Sequence, residues 1–544
     1  MTSRKLTIAL IVVLLTPVVA AAGPAKRAVE PARLAAPTFV VEGRGWGHGI
    51  GLSQYGALGF ARAGHGYQKI LAHYYRGTAL GPAPVRKVRV LVATDRATLT
   101  ISSTAPFRVK DGTGATYELG AGKHALTPKL RLKVDEATEA TSLTGPLMFM
   151  PGTQPVTLDR AYRGTIEVTV AKGKLQAINH VGLEQYLYGV VPAEMPHTWP
   201  TEALKAQAVV ARSYAISHMK TGGPFDMYAD TRSQVYRGIP EEEVQTNAAV
   251  NATAGQVVLY GGKVASTYYH STSGGRTASI TDAWPGAKPV PYLVSVPDPY
   301  DSISPHHSWG PVVFKAEQLA RVLRVPGRLV DVRVTVNGSQ RITSIVGVGT
   351  QGEGPTVDPA TFRRALDLRS TWLVLGVLSL ERPNKPVTYG SRFQLAGLAR
   401  FGSPATLESR GAGEQWKSAG TVKGGADGSF AVALKPKATT SYRLALGDVR
   451  SAAVRVGVAP VVRIAAAQGR TALRGVVKPA IPGSRVQVQR LNAFTWKTIA
   501  TATADQAGRW QAAVNLRPGT YRARVPAGPI FAAATSSVLT VSPA

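Results

Sequence analysis

Apolar positions along this 544-residue chain change period several times, and each change marks a different kind of element. The first apolar stretch, Leu6 to Val19, follows Arg4 and Lys5 and runs into Ala20-Ala21-Ala22, the charged, apolar, small-residue order of a secretory leader. It is shorter than the roughly 20 residues of a membrane span, so cleavage after Ala22 is expected. Residues 23–37, GPAKRAVEPARLAAP, carry no period and have the composition of a linker. Helical spacing appears in LGFARAG and then in HGYQKILAHYYRG, where Tyr67, Ile70, Leu71 and Tyr74 fall at i, i+3, i+4 and i+7. Between residues 85 and 179 the period drops to two, in runs such as VRVLVA, TLTIS and TIEVTVAKGKLQAI, which predicts short strands.

A long helix is predicted over 198–221, with Thr198 as cap, Pro200 in the first turn and Gly222-Gly223 at the stop. Leu204, Ala208, Ala211, Ala215 and Met219 would form its buried stripe, with Lys205 and Arg212 on another face. A second helix over 240–254 leads through Gly255 into QVVLY, GGK and VASTYYHS, which reads as a hairpin. From residue 381 the pattern is β-rich and repeats: Trp416 matches Trp496, Gly428 matches Gly508, Phe430 matches Trp510 and Tyr442 matches Tyr521. This predicts an α+β domain over 38–380, with its β-rich part at 85–179, followed by two tandem all-β sandwich modules at 381–460 and 461–544.

Composition then narrows the chemistry. There is no cysteine, so thiolate metal sites, cysteine nucleophiles and a disulfide scaffold are excluded. The formal net charge is +31, of which +17 sits in residues 381–544. Such a balance suggests a polyanionic partner. For an exported chain that means envelope polymers rather than nucleic acid, and adhesion of the C-terminal modules to anionic wall polymers is expected. The histidines include no H-E-x-x-H spacing, His306-His307 reads as a solvated loop, and neither a metal nor a cofactor is expected.

Residues 43–57, GRGWGHGIGLSQYGA, place glycine at every odd position from Gly43 to Gly51. No register fits G-x-G-x-x-G and no G-K-[ST] closes a phosphate loop. The reading is a flat strand with Arg44, Trp46, His48 and Ile50 on one face, whose bare backbone lets other chains or a ligand approach closely. His48 and Gln54 are its candidate ligand-binding side chains, with a buried, carbonyl-satisfied imidazole as the alternative for His48. In YGVVPAEMPHTWP, Glu194 is an acid in an apolar, proline-rich turn. Burial there would raise its pKa and keep a proton available; the alternative is an acid favoured near a helix N-terminus.

The stretches YLYGVVPAEMPHTWPTEALKAQAVVARSYA, DTRSQVYRG, ATAGQVVLYGGKVASTYYHSTSGGRT and FRRALDLRSTW resemble the SpoIID/LytB family of bacterial cell-wall proteins. The glycine segment resembles that family too, but there it closes the domain, whereas here it comes first, so the resemblance is circularly permuted. It covers roughly residues 39–380. It implies a secreted peptidoglycan lytic transglycosylase, with Glu194, in the P-A-E-M-P motif, as the catalytic glutamate. Some members are instead described as stimulating a cell-wall amidase, and a non-enzymatic wall-binding protein is the corresponding alternative.

One carboxylate suffices for that reaction, because the sugar's own C6 hydroxyl replaces water. A hydrolase needs two, and Asp226 or Asp230 facing Glu194 would restore that reading. Arg212 and Gln207 are candidates for contacting the sugar or orienting Glu194. Gln234, Tyr236, Ser271, Ser273, Gly274 and Gly275 are candidates for a sugar platform, and Trp199 and Trp284 for stacking or packing.

Overall fold

The computed structural model describes residue 30, residues 33–220 and residues 222–543. The predicted leader and most of the linker lie outside these residues. The described residues divide into two compact units, one within residues 40–375 and one that joins the described residues before 40 to residues 376–543.

In the first unit, the period-two stretch folds largely into a seven-stranded sheet. Its order is Met227–Tyr228, Lys87–Arg96, Lys174–Gly182, Thr165–Ala171, Leu147–Met150, Phe107–Lys110, Thr116–Leu119. Alternation does what the sequence pattern requires: Ile166 and Val168, with Leu175 and Ala177 on the next strand, are fully buried in one cluster. Against this sheet pack α3 (Leu183–Tyr188) and α5 (Thr201–Ser217), while α1 (Gln54–Arg62), α2 (Tyr67–Tyr74) and α6 (Val244–Ala252) gather around α5. The short α4 (Val191–Glu194) sits between α3 and α5.

The long helix is shorter than its sequence signals. Pro200 occupies the cap position in extended geometry, so Thr198 lies outside the helix. Nor is there one buried stripe. Ala208, Ala211 and Ala215 join the sheet's cluster, and Leu204, Ala206, Val209 and Val210 join a second cluster with Ile50, Leu52, Tyr74 and Tyr75. Its many alanines make sense on that basis, since a helix buried on opposite sides must present small residues to both.

The glycine segment is not a flat strand. The strand Thr38–Arg44 ends at Arg44, and Gly45, Gly47, Gly49 and Gly51 have φ of +74°, +111°, +83° and +70°. These are left-handed values that L-residues adopt only at a cost. Space is equally restrictive: a Cβ on Gly49 would lie 2.1 Å from the Arg341 guanidinium, and one on Gly51 2.1 Å from the Tyr268 carbonyl oxygen. The alternating glycines therefore serve both conformation and contact.

In the second unit, Leu34 and Ala35, read as linker from composition, are instead buried. Leu34 bridges Glu381, and the Ala35 amide donates to the Leu380 carbonyl at 2.8 Å. The remainder is almost entirely strand. In its last part, Val461–Ala466, Ala472–Lys478 and Arg509–Ala513 form one sheet, and Thr495–Thr503, Arg485–Asn492 and Gly519–Val525 form another. Both sheets contribute to one core of Val462, Leu473, Val477, Val486, Val488 and Tyr521.

Gly51→Ala combines left-handed strain with a backbone clash and is expected to cost more than about 2 kcal/mol. Gly64→Ala, at φ +82° with open space beyond it, should cost about 1 kcal/mol. Chemical denaturation of the two variants checks this; equal losses would contradict the packing role.

Candidate active site

Glu194 ends α4, and the chain turns extended at the buried Met195 immediately after it. Its carboxyl is reached from two sides. The Tyr269 hydroxyl donates to Oε1 at 3.1 Å, and Gln54 Nε2 donates to Oε2 at 3.4 Å. The direction of the tyrosine bond is set from behind. Tyr186 donates to Gln234 Oε1 at 3.3 Å, which leaves Gln234 Nε2 to donate to the Tyr269 oxygen at 3.2 Å. That hydroxyl's own proton then points at Glu194.

The elements that hold Tyr269 and Gln54 are the same pair of strands. Tyr269–His270 runs parallel to Leu52–Ser53, with Tyr269 opposite Leu52, and Ser53 caps α1, whose first residue is Gln54. Burial pushes the Glu194 pKa up from the ordinary carboxylate value, and the Tyr269 and Gln54 hydrogen bonds partly offset this. No neighbouring charge contributes. Burial foremost, and then the charge of Glu194, push the Tyr269 hydroxyl well above the usual phenol range, so it stays a donor.

Half-buried aromatic rings pack on the residues that hold this carboxyl and on one another. Tyr214 lies 6.0 Å from Tyr269 and stacks on His218 at 4.0 Å; Tyr268 packs edge-on to Trp284 at 4.9 Å; Tyr55 packs edge-on to Trp199 at 5.0 Å. Partly exposed faces of this kind suit the apolar faces of sugar rings. Tyr269, Tyr214 and Tyr268 were not among the residues expected from sequence, although the run YYHS and the position of Tyr214 on the long helix carried the signal.

Several expected ligand contacts are corrected. Arg212 is fully buried and grips Glu184, with Nε 3.0 and 3.2 Å from the two carboxylate oxygens, and donates to the Gln256 and Val250 carbonyls. It ties α5 to α3, α6 and the following strand, and makes no bond to Glu194. Gln207 is fully buried on α5. Tyr236 is buried against Tyr186 and donates to Asn179 at 2.9 Å, and Gln234 acts through Tyr269. Ser273 and Gly274 turn their amides onto the buried Asp301 carboxylate at 2.8 and 2.9 Å, and the Gly275 amide donates to Ser273 Oγ. Of the serine-glycine loop, Ser271 is half-buried, and its carbonyl accepts from the Tyr55 amide.

His48 is engaged within the protein. Nδ1 accepts from the Ile50 amide at 3.0 Å, and the ring also interacts with the Tyr269 backbone. Burial, with the Arg341 charge nearby, lowers its pKa to about 4, so it is a neutral strut for the Tyr269 strand rather than a ligand contact. His307 also leaves the solvated-loop reading: its Nδ1 lies 3.0 Å from Asp301, which further accepts from Ser53 Oγ at 2.8 Å. Asp301 thus fastens the serine-glycine loop to the cap of α1. Sequence gave no sign of this, because the four partners come from three distant segments.

The next three carboxylates along the chain after Glu194 are occupied elsewhere. Asp226 pairs with Arg89 at 2.7 Å, Asp230 with Arg232 at 2.7 Å, and Glu202 with Lys205 at 2.8 Å. Among the described residues, no cluster of three His, Asp or Glu could hold a metal ion.

Comparison with known proteins follows the same region. Residues 171–260, which include α4 and Gln234, match the family model described as stage II sporulation protein, SpoIID. An uncharacterized protein of Brachyspira hyodysenteriae is 38% identical over 138 residues, covering 25% of this chain and 37% of that one. The amidase enhancer of Bacillus subtilis is 41% identical over 115 residues, covering 21% and 15%. Stage II sporulation protein D of Bacillus subtilis is 31% identical over 159 residues, covering 26% and 46%. The chain thus spans less than half the length of each of these relatives. Among solved structures, tandem immunoglobulin domains of titin cover 30% of this chain at 10% identity, with a TM-score of 0.15.

Two titrations check the site. Tyr269→Phe removes a donor to the ionised carboxyl, so the Glu194 pKa, followed by carboxyl NMR, should rise further; no change or a fall would contradict the assigned bond. The second follows from the sign of the shift. A carboxyl whose pKa is raised by folding favours the native state at low pH, and that contribution is lost as pH rises through the native value. Glu194→Gln should therefore gain in melting temperature relative to wild type between pH 4 and pH 8.

Proposed function

Given that residues 171–260 belong to the SpoIID family, we propose that this chain is a secreted cell-wall enzyme that cleaves peptidoglycan glycan strands by lytic transglycosylation. The observation that carries the reading is Glu194: a partly exposed carboxyl with a raised pKa, no ion-pair partner among the described residues, and donors from Tyr269 and Gln54.

In this reading the protonated Glu194 gives its proton to the glycosidic oxygen as the C1–O bond breaks. The resulting carboxylate takes the proton from the C6 hydroxyl of the same muramic residue as O6 bonds to C1. The products are a free 4-hydroxyl and a 1,6-anhydro ring, with Glu194 returned to its acid form. Tyr269 and Gln54 stabilise the carboxylate between the two transfers, and burial keeps it basic enough to accept the second proton. A water-activating partner is not needed. Paired carboxylates in glycosidases stand about 5–9.5 Å apart, whereas Asp226, Asp230 and Glu202 are each held by a cation of their own.

A second reading has a specific observation in its favour, the 41% identity to an amidase enhancer. There the same residues would bind glycan or an amidase without cutting. The purified protein, incubated with peptide-free glycan strands, separates the two. Glu194→Gln should lower the cleavage rate by about 10²–10⁴-fold, and the wild-type rate should fall as pH rises through the raised Glu194 pKa. An amidase whose activity is stimulated equally by wild type and Glu194→Gln, with no cleavage by either, would favour the second reading.

A further inference from the structure

Away from Glu194, a cleft of about 740 Å³ opens on the sheet Val461–Ala466, Ala472–Lys478, Arg509–Ala513. The register places Arg463, Val476 and Arg509 side by side, and next to them Ala465, Arg474 and Gln511. Strand alternation sends all six away from the core, which takes Val462, Leu473, Val477, Trp510 and Ala512. Arg463, Arg474 and Arg509 are all exposed, and among the described residues none has a carboxylate partner. Residues 461–544 hold eleven Lys/Arg and a single acid, Asp505. Asp505 lines the cleft, but one of its oxygens already accepts from the Ala507 and Arg509 amides. Three positive charges around one carboxylate leave the cleft net positive, which a purely structural sheet does not need.

The neighbouring module shows that the fold does not require them. Pairing of Gly397 with Phe430 corresponds to pairing of Gly475 with Trp510. The same register then puts Ser379, Ala396, Ser429 and Ala431 where the last module has Arg463, Arg474, Arg509 and Gln511. Phe430 stands in place of Trp510, which turns into the core.

We propose that this cleft binds an extracellular polyanion, a chain bearing phosphodiester or carboxylate groups. The three guanidiniums engage successive anionic groups. The volume is that of a small-molecule site, about 300–1,000 Å³, and so accommodates a short stretch of such a chain. This assignment is independent of the chemistry at Glu194.

The test measures binding of the full-length protein to immobilised long-chain polyphosphate and to polygalacturonate across a salt series, with Glu194→Gln alongside. Wild type and Glu194→Gln should bind alike, and the preferred polymer shows whether phosphate-type or carboxylate groups are favoured. Replacing Arg463, Arg474 and Arg509 together by Gln should weaken binding by about tenfold or more and flatten its salt dependence. Replacing Arg485, Arg522 and Arg524 of the other sheet by Gln removes the same charge and should weaken it less than about threefold. Equal losses in the two triple variants, failure to bind either polymer, or tighter binding to phosphatidylglycerol vesicles or duplex DNA would overturn the assignment.

Discussion

Close approach between the glycine ribbon and the segment 268–273 is the constraint on which the first unit depends. Gly45 leaves no room for a side chain against the Thr272 and Ser273 carbonyls, Gly47 none against the His270 side chain and Gly51 none against the Tyr268 carbonyl. Only a ribbon without side chains on that flank lets Leu52–Ser53 lie parallel to Tyr269–His270. That pairing decides where Gln54 and Tyr269 stand, and so which donors reach the two oxygens of Glu194. Residues 140 and 75 positions away in sequence thereby meet at one carboxyl.

Buried polar groups carry the same organisation outward. Asp301 collects donors from Ser53, Ser273, Gly274 and His307, while His48 braces the Tyr269 strand through its backbone. Arg212 and Glu184 fasten α5 to α3 from the far side. Arg212 is fully buried while Glu184 reaches solvent, so removing the carboxylate would strand a buried charge. The effect of these contacts on Glu194 is through position, since no charge contributes to its shift.

Much of this was legible in the sequence where the signal is periodic. The strands between 85 and 179, the helices around Tyr67 and Leu204, and the β-rich repeats after 381 all follow from hydrophobic spacing. Glu194 was legible as an acid in an apolar turn. What the sequence could not resolve was direction. Arg212 and Gln207 lie on a helix buried on opposite sides, so neither surface of that helix is the solvent face an amphipathic reading assumes. The glycine alternation suggested a strand of period two, yet positive φ at alternate residues produces the same spacing with a different path. The hub at Asp301 left no local pattern, because its partners are joined by the fold alone.

Glu194 acting alone is the central claim, and mass spectrometry of the soluble products from peptide-free glycan strands tests it most directly. Muropeptide-free fragments ending in 1,6-anhydro-muramic acid, and none with a new reducing end, are the predicted result. Fragments with reducing ends would require an activated water and a second carboxylate, and would contradict it.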